Sequence, residues 1–424
     1  MSAQHMTSTW EAPLNELVEN YARLAVLKGV ALQQGQELVV MSPVECADFA
    51  RRVVRLAYEY GAGHVTMIWS DEVVSRQEYE HMDVDYFSET PSWKREQLNS
   101  LAEAGAAFLF VEGEDPEAFR GIDPKKMAAA VRARNTQCAS YREGLDFGRN
   151  MWSIVGVPVS AWARKVFPND TEEMALDKLW KAILSTARAD GPDPMAAWDE
   201  HLVSFARHKQ FLADCSFDRL HYTSSNGTDL TIGMCPGHIW EGGASKAADG
   251  RAFLPNIPTE EIYTSPDRMR VDGIVKSVLP LVHAGNIVDD FWMRFEAGRV
   301  VECEAARGED VLRSIITNDE NSCRLGECAL VAKDTPIRQS GLLFYNTLYD
   351  ENASCHLALG TGFPECIEGG FDMDKETLIA HGVNQSATHV DFMIGADDLR
   401  IEGITKDGRT IAVFEDGCWA IDAS

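Results

Sequence analysis

Two side chains near the carboxyl end of the chain, His389 and Asp391, have the chemistry and the spacing of a metal-binding or acid–base pair. The residues from His389 onwards read His-Val-Asp-Phe-Met-Ile, an alternation that predicts a β-strand. Because side chains two apart on a strand share a face, His389, Asp391 and Met393 would project together, opposite Val390, Phe392 and Ile394. The imidazole and the carboxylate could then ligate a metal ion or transfer a proton. The same pair is also consistent with two hydrogen-bonded side chains inside a core.

Further acids and another histidine lie upstream, beside turns or inside apolar segments. Glu260 and Glu261 follow a proline turn, Glu327 interrupts an apolar stretch, and Glu351 precedes His356 by five residues. A lone acid such as Glu327 is costly to bury unless it is paired or bound to a metal ion. Taken singly, each of these groups is also consistent with a salt bridge, a helix cap or a turn.

Taken together, the carboxylates and imidazoles favour a metal site. Zinc, cobalt and manganese all accept such ligands, whereas a set without thiolates argues against a structural zinc site. The number of acids exceeds what one four-coordinate catalytic zinc needs. Two ions that share a bridging carboxylate fit this set of residues better.

Composition excludes several other classes of function. The 424-residue chain has a formal net charge of −27, which argues against nucleic acid and anionic membranes as partners. No apolar run approaches the roughly 18 residues of a membrane span. The N-terminal residues have neither the basic region nor the apolar core of a signal peptide, so we expect a cytoplasmic protein. The ten cysteines form no C-x-x-C pair, and we expect them to be reduced.

The order of predicted elements divides the chain into two domains. In residues 1–215 apolar strands alternate with amphipathic helices, which predicts an N-terminal α/β domain with an open, parallel-rich sheet. The region between a strand at 64–69 and a helix at 95–104 is polar and rich in charge, and no helix or strand is assigned to it. Residues 216–424 carry short strands and hairpin signals at 296–298 and 406–408, which predicts an α+β C-terminal domain rich in antiparallel strands. The candidate site lies in this second domain. No glycine-rich nucleotide-binding motif occurs.

Several motifs of the second half follow one another in an order that resembles a known family. They are Asn-x-Pro-Thr-Glu-Glu, Gly-Glu-x-Ala-Leu, Asp-Glu-Asn-Ala-x-x-His, Ala-Leu-Gly and His-Val-Asp-Phe-Met-Ile-Gly. This series resembles the thermophilic metallo-aminopeptidase family, which includes aminopeptidases T, S and II. The resemblance is strongest over residues 253–419 and extends through most of the chain.

The resemblance implies a set of ligands for two divalent metal ions. The ions would be zinc, cobalt or manganese, with magnesium as a further candidate. Agreement with the family's spacing favours Glu261 over Glu260 as the ligand, and Glu327 would be the bridging ligand. The implied ligands are Glu261, Glu327, His356, His389 and Asp391, with Glu351 as a further ligand or an acid beside the site.

The activity implied by the resemblance is removal of the N-terminal amino acid from a short peptide by a homodimeric enzyme. A metal-activated water would attack the peptide carbonyl, and a carboxylate would take its proton. Glu260 is a candidate for that base. Neighbouring side chains on an extended chain point to opposite faces, however, which argues against Glu260 when Glu261 is a ligand.

One position departs from the family pattern. Seven residues after His356 the family carries a tyrosine that assists at the reacting carbonyl, whereas this chain has Phe363, which offers no hydroxyl. Two other functions therefore stay open. A related fold uses a single ferrous ion to open a dihydroxypyridine ring, and a non-catalytic metal- or peptide-binding protein could keep the same scaffold.

Overall fold

The computed structural model describes residues 12–283 and 286–421, which divide into two compact units. The first unit takes the described residues up to 118, then 122–200 and 244–258. The second takes 119–121, 201–243 and the described residues from 259 onwards. The division therefore falls at 200 rather than 215, and residues 244–258 belong to the first unit. In the described residues no helix is both long and apolar enough to cross a membrane.

The helices and strands of the described residues follow one another along both units. The helices are α1 (Ala12–Leu24), α2 (Ala47–Glu59), α3 (Glu72–His81), α4 (Ser92–Glu103), α5 (Pro124–Gln137), α6 (Ala139–Asp146), α7 (Ser160–Val166), α8 (Glu172–Thr186), α9 (Pro194–Cys215), α10 (Glu309–Ile316), α11 (Pro336–Gln339), α12 (Thr347–Asp350) and α13 (Lys375–Ala380). The strands are β1 (Glu37–Pro43), β2 (His64–Ser70), β3 (Ala107–Glu112), β4 (Trp152–Gly156), β5 (Phe217–Thr223), β6 (Asp229–Met234), β7 (Ser245–Lys246), β8 (Ala252–Phe253), β9 (Asn256–Ile257), β10 (Ile262–Thr264), β11 (Pro266–Lys276), β12 (Leu281–His283), β13 (Asn286–Glu296), β14 (Arg299–Arg307), β15 (Leu325–Leu330), β16 (His356–Gly360), β17 (His389–Met393), β18 (Arg400–Thr405), β19 (Thr410–Glu415) and β20 (Cys418–Trp419).

The first unit contains a parallel sheet with the strand order β2-β1-β3-β4-β9. The interior strand β1, which pairs with β2 and β3, buries Leu38, Val39 and Val40 completely, as expected for a strand covered on both faces. The predicted α/β domain with a parallel-rich sheet is confirmed. Strand β9 explains why residues 244–258 return to this unit, since it extends the sheet beside β4.

Helix α3 lies in the charged region that the sequence pattern did not assign to a helix. None of its residues is buried. It is stabilised locally instead, because the Asp71 side chain accepts hydrogen bonds from the backbone N–H groups of Val73 and Val74. A helix without a buried face need not show apolar periodicity, so the capping residue Asp71 was the available sequence signal for the start of α3.

The second unit is built from antiparallel sheets, as predicted. In the described residues one sheet has the order β12-β13-β11-β6-β5-β18-β19-β20, with β14 paired to β13, and a second has the order β10-β15-β16-β17. The hairpin predicted at 296–298 joins β13 to β14, with φ of 45° at Ala297 and 78° at Gly298. The hairpin predicted at 406–408 joins β18 to β19.

The sheet β10-β15-β16-β17 has one apolar face and one face that carries acids and histidines. Its register places Cys328 of β15 opposite Leu357 of β16, which in turn lies opposite Phe392 of β17. All three side chains are buried in the main hydrophobic core of this unit. Val390 and Ile394 lie in the same core, so the predicted orientation of β17 is confirmed. The opposite face of the sheet is therefore available for the candidate ligands.

We expect Leu357→Ala to lower the free energy of unfolding of the second unit by about 2–5 kcal/mol, because it leaves a cavity beneath the strand that starts at His356. Chemical denaturation followed by tryptophan fluorescence measures this change. The control is Met269→Ala, at a side chain that is 51% exposed, which should change stability by about 0.5 kcal/mol or less. Equal effects of the two substitutions would contradict the assignment of this face to the core.

Candidate metal centre

The predicted ligands lie on three neighbouring strands and at the entry to a fourth. Glu261 directly precedes β10, Glu327 is on β15, His356 begins β16, and His389 and Asp391 are on β17. The antiparallel register places Ala358, two residues after His356, opposite both Glu327 and Asp391. Since paired residues and residues two apart share a face, these strands aim their ligand candidates to one side of the sheet.

The donor atoms form two groups that have Glu327 in common. In the first group, ligand atoms of Glu261, Glu327 and His356 all lie within 4.8 Å of one another. In the second group, those of Glu327, His389 and Asp391 do the same. The structure thus brings together the five residues that the motifs singled out, and Glu327 is common to both groups.

Backbone carbonyls fix the orientation of both imidazole rings. The Nδ1 atom of His356 lies 3.1 Å from the Ser354 carbonyl oxygen, and that of His389 lies 2.9 Å from the Thr361 carbonyl oxygen. A carbonyl can only accept a hydrogen bond, so Nδ1 carries the hydrogen in both rings. The Nε2 atoms therefore face the acids, which is the arrangement that metal-binding histidines need.

The Nε2 atoms make short contacts with the carboxylates. The Nε2 atom of His356 lies 3.1 Å from Glu261, and that of His389 lies 3.1 Å from both Glu327 and Asp391. Burial alone would lower the pKa of each histidine. The neighbouring carboxylates outweigh burial, raising the pKa of His356 to about 10 and that of His389 well above its usual value.

The acids themselves are crowded and desolvated. Burial raises the pKa of Glu327, although the nearby His389 opposes this effect. Burial, followed by the charges of Asp391 and Glu261, raises the pKa of Glu351 well above its usual value. The acids Glu261, Glu327, Glu351 and Asp391 also outnumber the two histidines, so the site holds more carboxylates than its imidazoles can pair with. The donor set therefore fits divalent cations.

The chain is similar to known proteins over nearly its whole length. The family described as thermophilic metalloprotease (M29) matches residues 14–419. Aminopeptidase 2 of Geobacillus stearothermophilus is 43% identical over 413 residues, which cover 97% of this chain and 99% of that protein. Aminopeptidase AmpS of Bacillus subtilis is 42% identical over 406 residues, with coverage of 96% and 99%. The solved structure of wild-type AmpT from Thermus thermophilus matches with a TM-score of 0.89 and 36% identity, covering 96% of this chain and all of that one.

The chain belongs to the M29 thermophilic metalloprotease family. The family resemblance noted from the motifs is thereby confirmed, and membership implies a divalent metal cofactor. The number and identity of the ions stay predictions.

Two predicted site residues of this metalloprotease lie outside both groups of donor atoms. Glu351 is in a short 3₁₀ turn after α12, where the charges of Glu261 and Asp391 act on it. The side chain of Glu260 is 4% exposed, and its carboxylate lies 3.5 Å from the Nε2 atom of His201. Its backbone N–H donates a 2.7 Å hydrogen bond to the Asn352 side chain.

Phe363 lies directly beside one of the candidate ligands. Its ring centroid is 4.9 Å from that of His389 and 5.6 Å from that of Tyr263, the latter in an edge-to-face contact. Its backbone N–H donates to the Ser265 hydroxyl. Phe363, the residue that departs from the family pattern, therefore places an apolar ring at the edge of the site.

The motifs did not identify the groups that orient the ligands. The carbonyls of Ser354 and Thr361 act through the backbone, so the sequence carries no side-chain signal for them. Gly326 is a further case, since it lies at a bulge between Leu325 and Glu327. A Cβ atom at Gly326 would approach the Thr361 carbonyl oxygen to 2.2 Å. The glycine immediately before Glu327 was part of a quoted motif, and close backbone approach explains why it is needed.

We expect Gly326→Ala to weaken metal binding by about 10- to 100-fold, because it displaces the Thr361 carbonyl that orients His389. Competition with a chelator of known affinity measures this change. The control is Gly191→Ala, where a Cβ atom meets nothing within 4 Å. Unaltered metal affinity in Gly326→Ala would contradict the orienting role of the Thr361 carbonyl.

Proposed function

We propose that this metalloprotease releases N-terminal amino acids from short peptides at a centre of two divalent metal ions. The observation that carries the proposal is the pair of donor groups that share Glu327. The printed names of its relatives, which are aminopeptidases, support the choice of reaction.

Each ion would be held by one donor group. Glu261, Glu327 and His356 would hold the first ion, and Glu327, His389 and Asp391 the second, with Glu351 as a further acid beside them. Four carboxylates carry the charge that two divalent cations would offset. Nitrogen and oxygen donors suit zinc, cobalt or manganese, and magnesium is a further candidate.

When bound, the ions supply a water of lowered pKa and polarise the peptide carbonyl. The protein contributes orientation, since the Ser354 and Thr361 carbonyls hold the two imidazoles in one tautomer and one direction. A carboxylate that is not a ligand must accept the proton of the attacking water and return it to the leaving amine. Glu260 and Glu351, the two predicted site acids that lie outside both donor groups, are the candidates.

The arrangement of the histidines argues against a single-iron dioxygenase. Such enzymes use two histidines and one carboxylate around one ion. Here His356 belongs to one donor group and His389 to the other. The presence of all five donors likewise argues against a non-catalytic binding protein. A cytoplasmic location and a homodimer, which composition and resemblance suggested, stay part of the proposal. Light scattering of the purified protein tests the dimer.

We expect Glu327→Gln to abolish peptidase activity and to reduce the metal content, because a neutral amide cannot bridge two cations as a carboxylate does. Leucine p-nitroanilide hydrolysis and elemental analysis measure the two effects, and circular dichroism checks that the fold is retained. Glu376→Gln, at an exposed acid of α13, is the matched control and should leave both unchanged. Full activity in Glu327→Gln would refute the bridging role.

Removal of the metal should stop the reaction and leave the chain folded. We expect the gently purified protein to contain two ions of zinc, cobalt or manganese per chain, and activity lost to a chelator to return when the ion is added back. One iron per chain together with oxygen uptake would overturn the proposal. A protein that purifies without metal and hydrolyses no peptide after metal addition would favour a binding role.

A further inference from the structure

Tyr263 lies on the face of the sheet that carries the candidate ligands. It is two residues beyond Glu261 and on strand β10, and it is opposite Ala329 of β15. Ala329 is in turn opposite His356. Because paired residues on neighbouring strands share a face, the phenol of Tyr263 projects to the same side as the His356 imidazole.

The ring of Tyr263 contacts Phe363, and Phe363 contacts His389, a member of the second donor group. Its edge-to-face contact with Phe363 has an interplanar angle of 70°, and Phe363 contacts His389 in turn. Burial and the charge of Glu365, with smaller effects from Glu261 and Glu327, raise the pKa of Tyr263 well above its usual value. The phenol is therefore within electrostatic reach of both ligand carboxylates.

The hydroxyl of Tyr263 is only weakly engaged. Its oxygen lies 3.5 Å from Glu365, beyond the 2.5–3.0 Å usual for a hydrogen bond between two oxygens. A neutral phenol is a hydrogen-bond donor at physiological pH even without a pKa shift, since its ordinary pKa is about 10. Exchange of this long contact for a shorter one to a substrate oxygen would strengthen the hydrogen bond.

We infer that Tyr263 supplies the catalytic hydroxyl that Phe363 lacks. Its O–H donates a hydrogen bond to the carbonyl oxygen of the substrate, and this bond strengthens as negative charge develops there during attack by water. Tyr263 approaches the site from β10, and the rings of Tyr263 and His389 both contact Phe363. This inference rests on the proposed peptidase function, since it concerns the same reaction.

The test is Tyr263→Phe, which removes one oxygen atom and keeps the ring contact. Loss of an oxyanion donor should lower kcat for leucine p-nitroanilide by about 100- to 1000-fold and leave KM within about threefold. Metal content and Tm should match the unaltered protein. Tyr86→Phe is the matched control, because Tyr86 also packs edge-on against a phenylalanine, Phe87, in the other unit.

A binding measurement supplies a readout that does not depend on turnover. The probe is a phosphinic pseudodipeptide with a leucine side chain, whose tetrahedral anionic centre mimics the transition state. We expect Tyr263→Phe to weaken its binding to the metal-loaded protein by at least about tenfold, whereas the affinity for leucine stays the same.

The double variant Tyr263→Phe/Phe363→Tyr moves the hydroxyl from one ring of the contact to the other. It should recover at least about tenfold in kcat over Tyr263→Phe alone, which a packing role for Tyr263 would not produce.

Unchanged kcat and probe affinity in Tyr263→Phe would overturn the inference. A tenfold gain in kcat from Phe363→Tyr alone would also overturn it, since the hydroxyl would then have been missing. If the unaltered, metal-loaded protein hydrolyses no peptide, the proposed function fails instead.

Discussion

Repulsion between buried carboxylates is the physical constraint on which the site depends. The acids that crowd one face of the sheet β10-β15-β16-β17 are Glu261, Glu327, Glu351 and Asp391. Charges this close and this desolvated are costly to hold together without a compensating cation. The histidines offset part of the charge, which is why their pKa values are raised. A pair of divalent ions would offset the rest, and the geometry of the shared Glu327 is consistent with that pair.

The apolar face of the same sheet holds these charges in place. Cys328, Leu357 and Phe392 occupy consecutive strands at the same level and are buried in one core. Each alternates along its strand with ligand-side residues, so a displacement of the core would move the ligands as well. The bulge at Gly326 then sets the direction of Glu327 and brings the Thr361 carbonyl close to β15. The same short strands therefore both pack the core and orient the candidate ligands.

The inferred role of Tyr263 beside Phe363 would supply one chemical group from a different position in the sequence. The two rings are in contact although they lie 100 residues apart in the chain. A hydroxyl on either ring would be at the edge of the same site. The absence of a tyrosine at one motif position thus says little about the chemistry until the neighbouring strand is known.

The sequence by itself determined the class of both domains and predicted the residues that the structure brings together in two donor groups. The pattern of apolar residues was sufficient to predict strands β1 to β4 and β17, because a buried strand must be apolar on its covered faces. The motif order identified the family, and it singled out Glu261 and Glu327 among the acids of a very acidic chain. The same pattern could not indicate α3, which buries no residue. It also could not indicate that the boundary between the two units falls inside α9.

Only the tertiary structure decided how those residues meet. The register of β10, β15, β16 and β17 assigns His356 and His389 to different donor groups, and register depends on pairing between strands that are far apart in the chain. The carbonyls of Ser354 and Thr361 orient the imidazoles through backbone atoms that every residue type shares. The position of Tyr263 beside Phe363 likewise follows from strand packing, which no local pattern encodes.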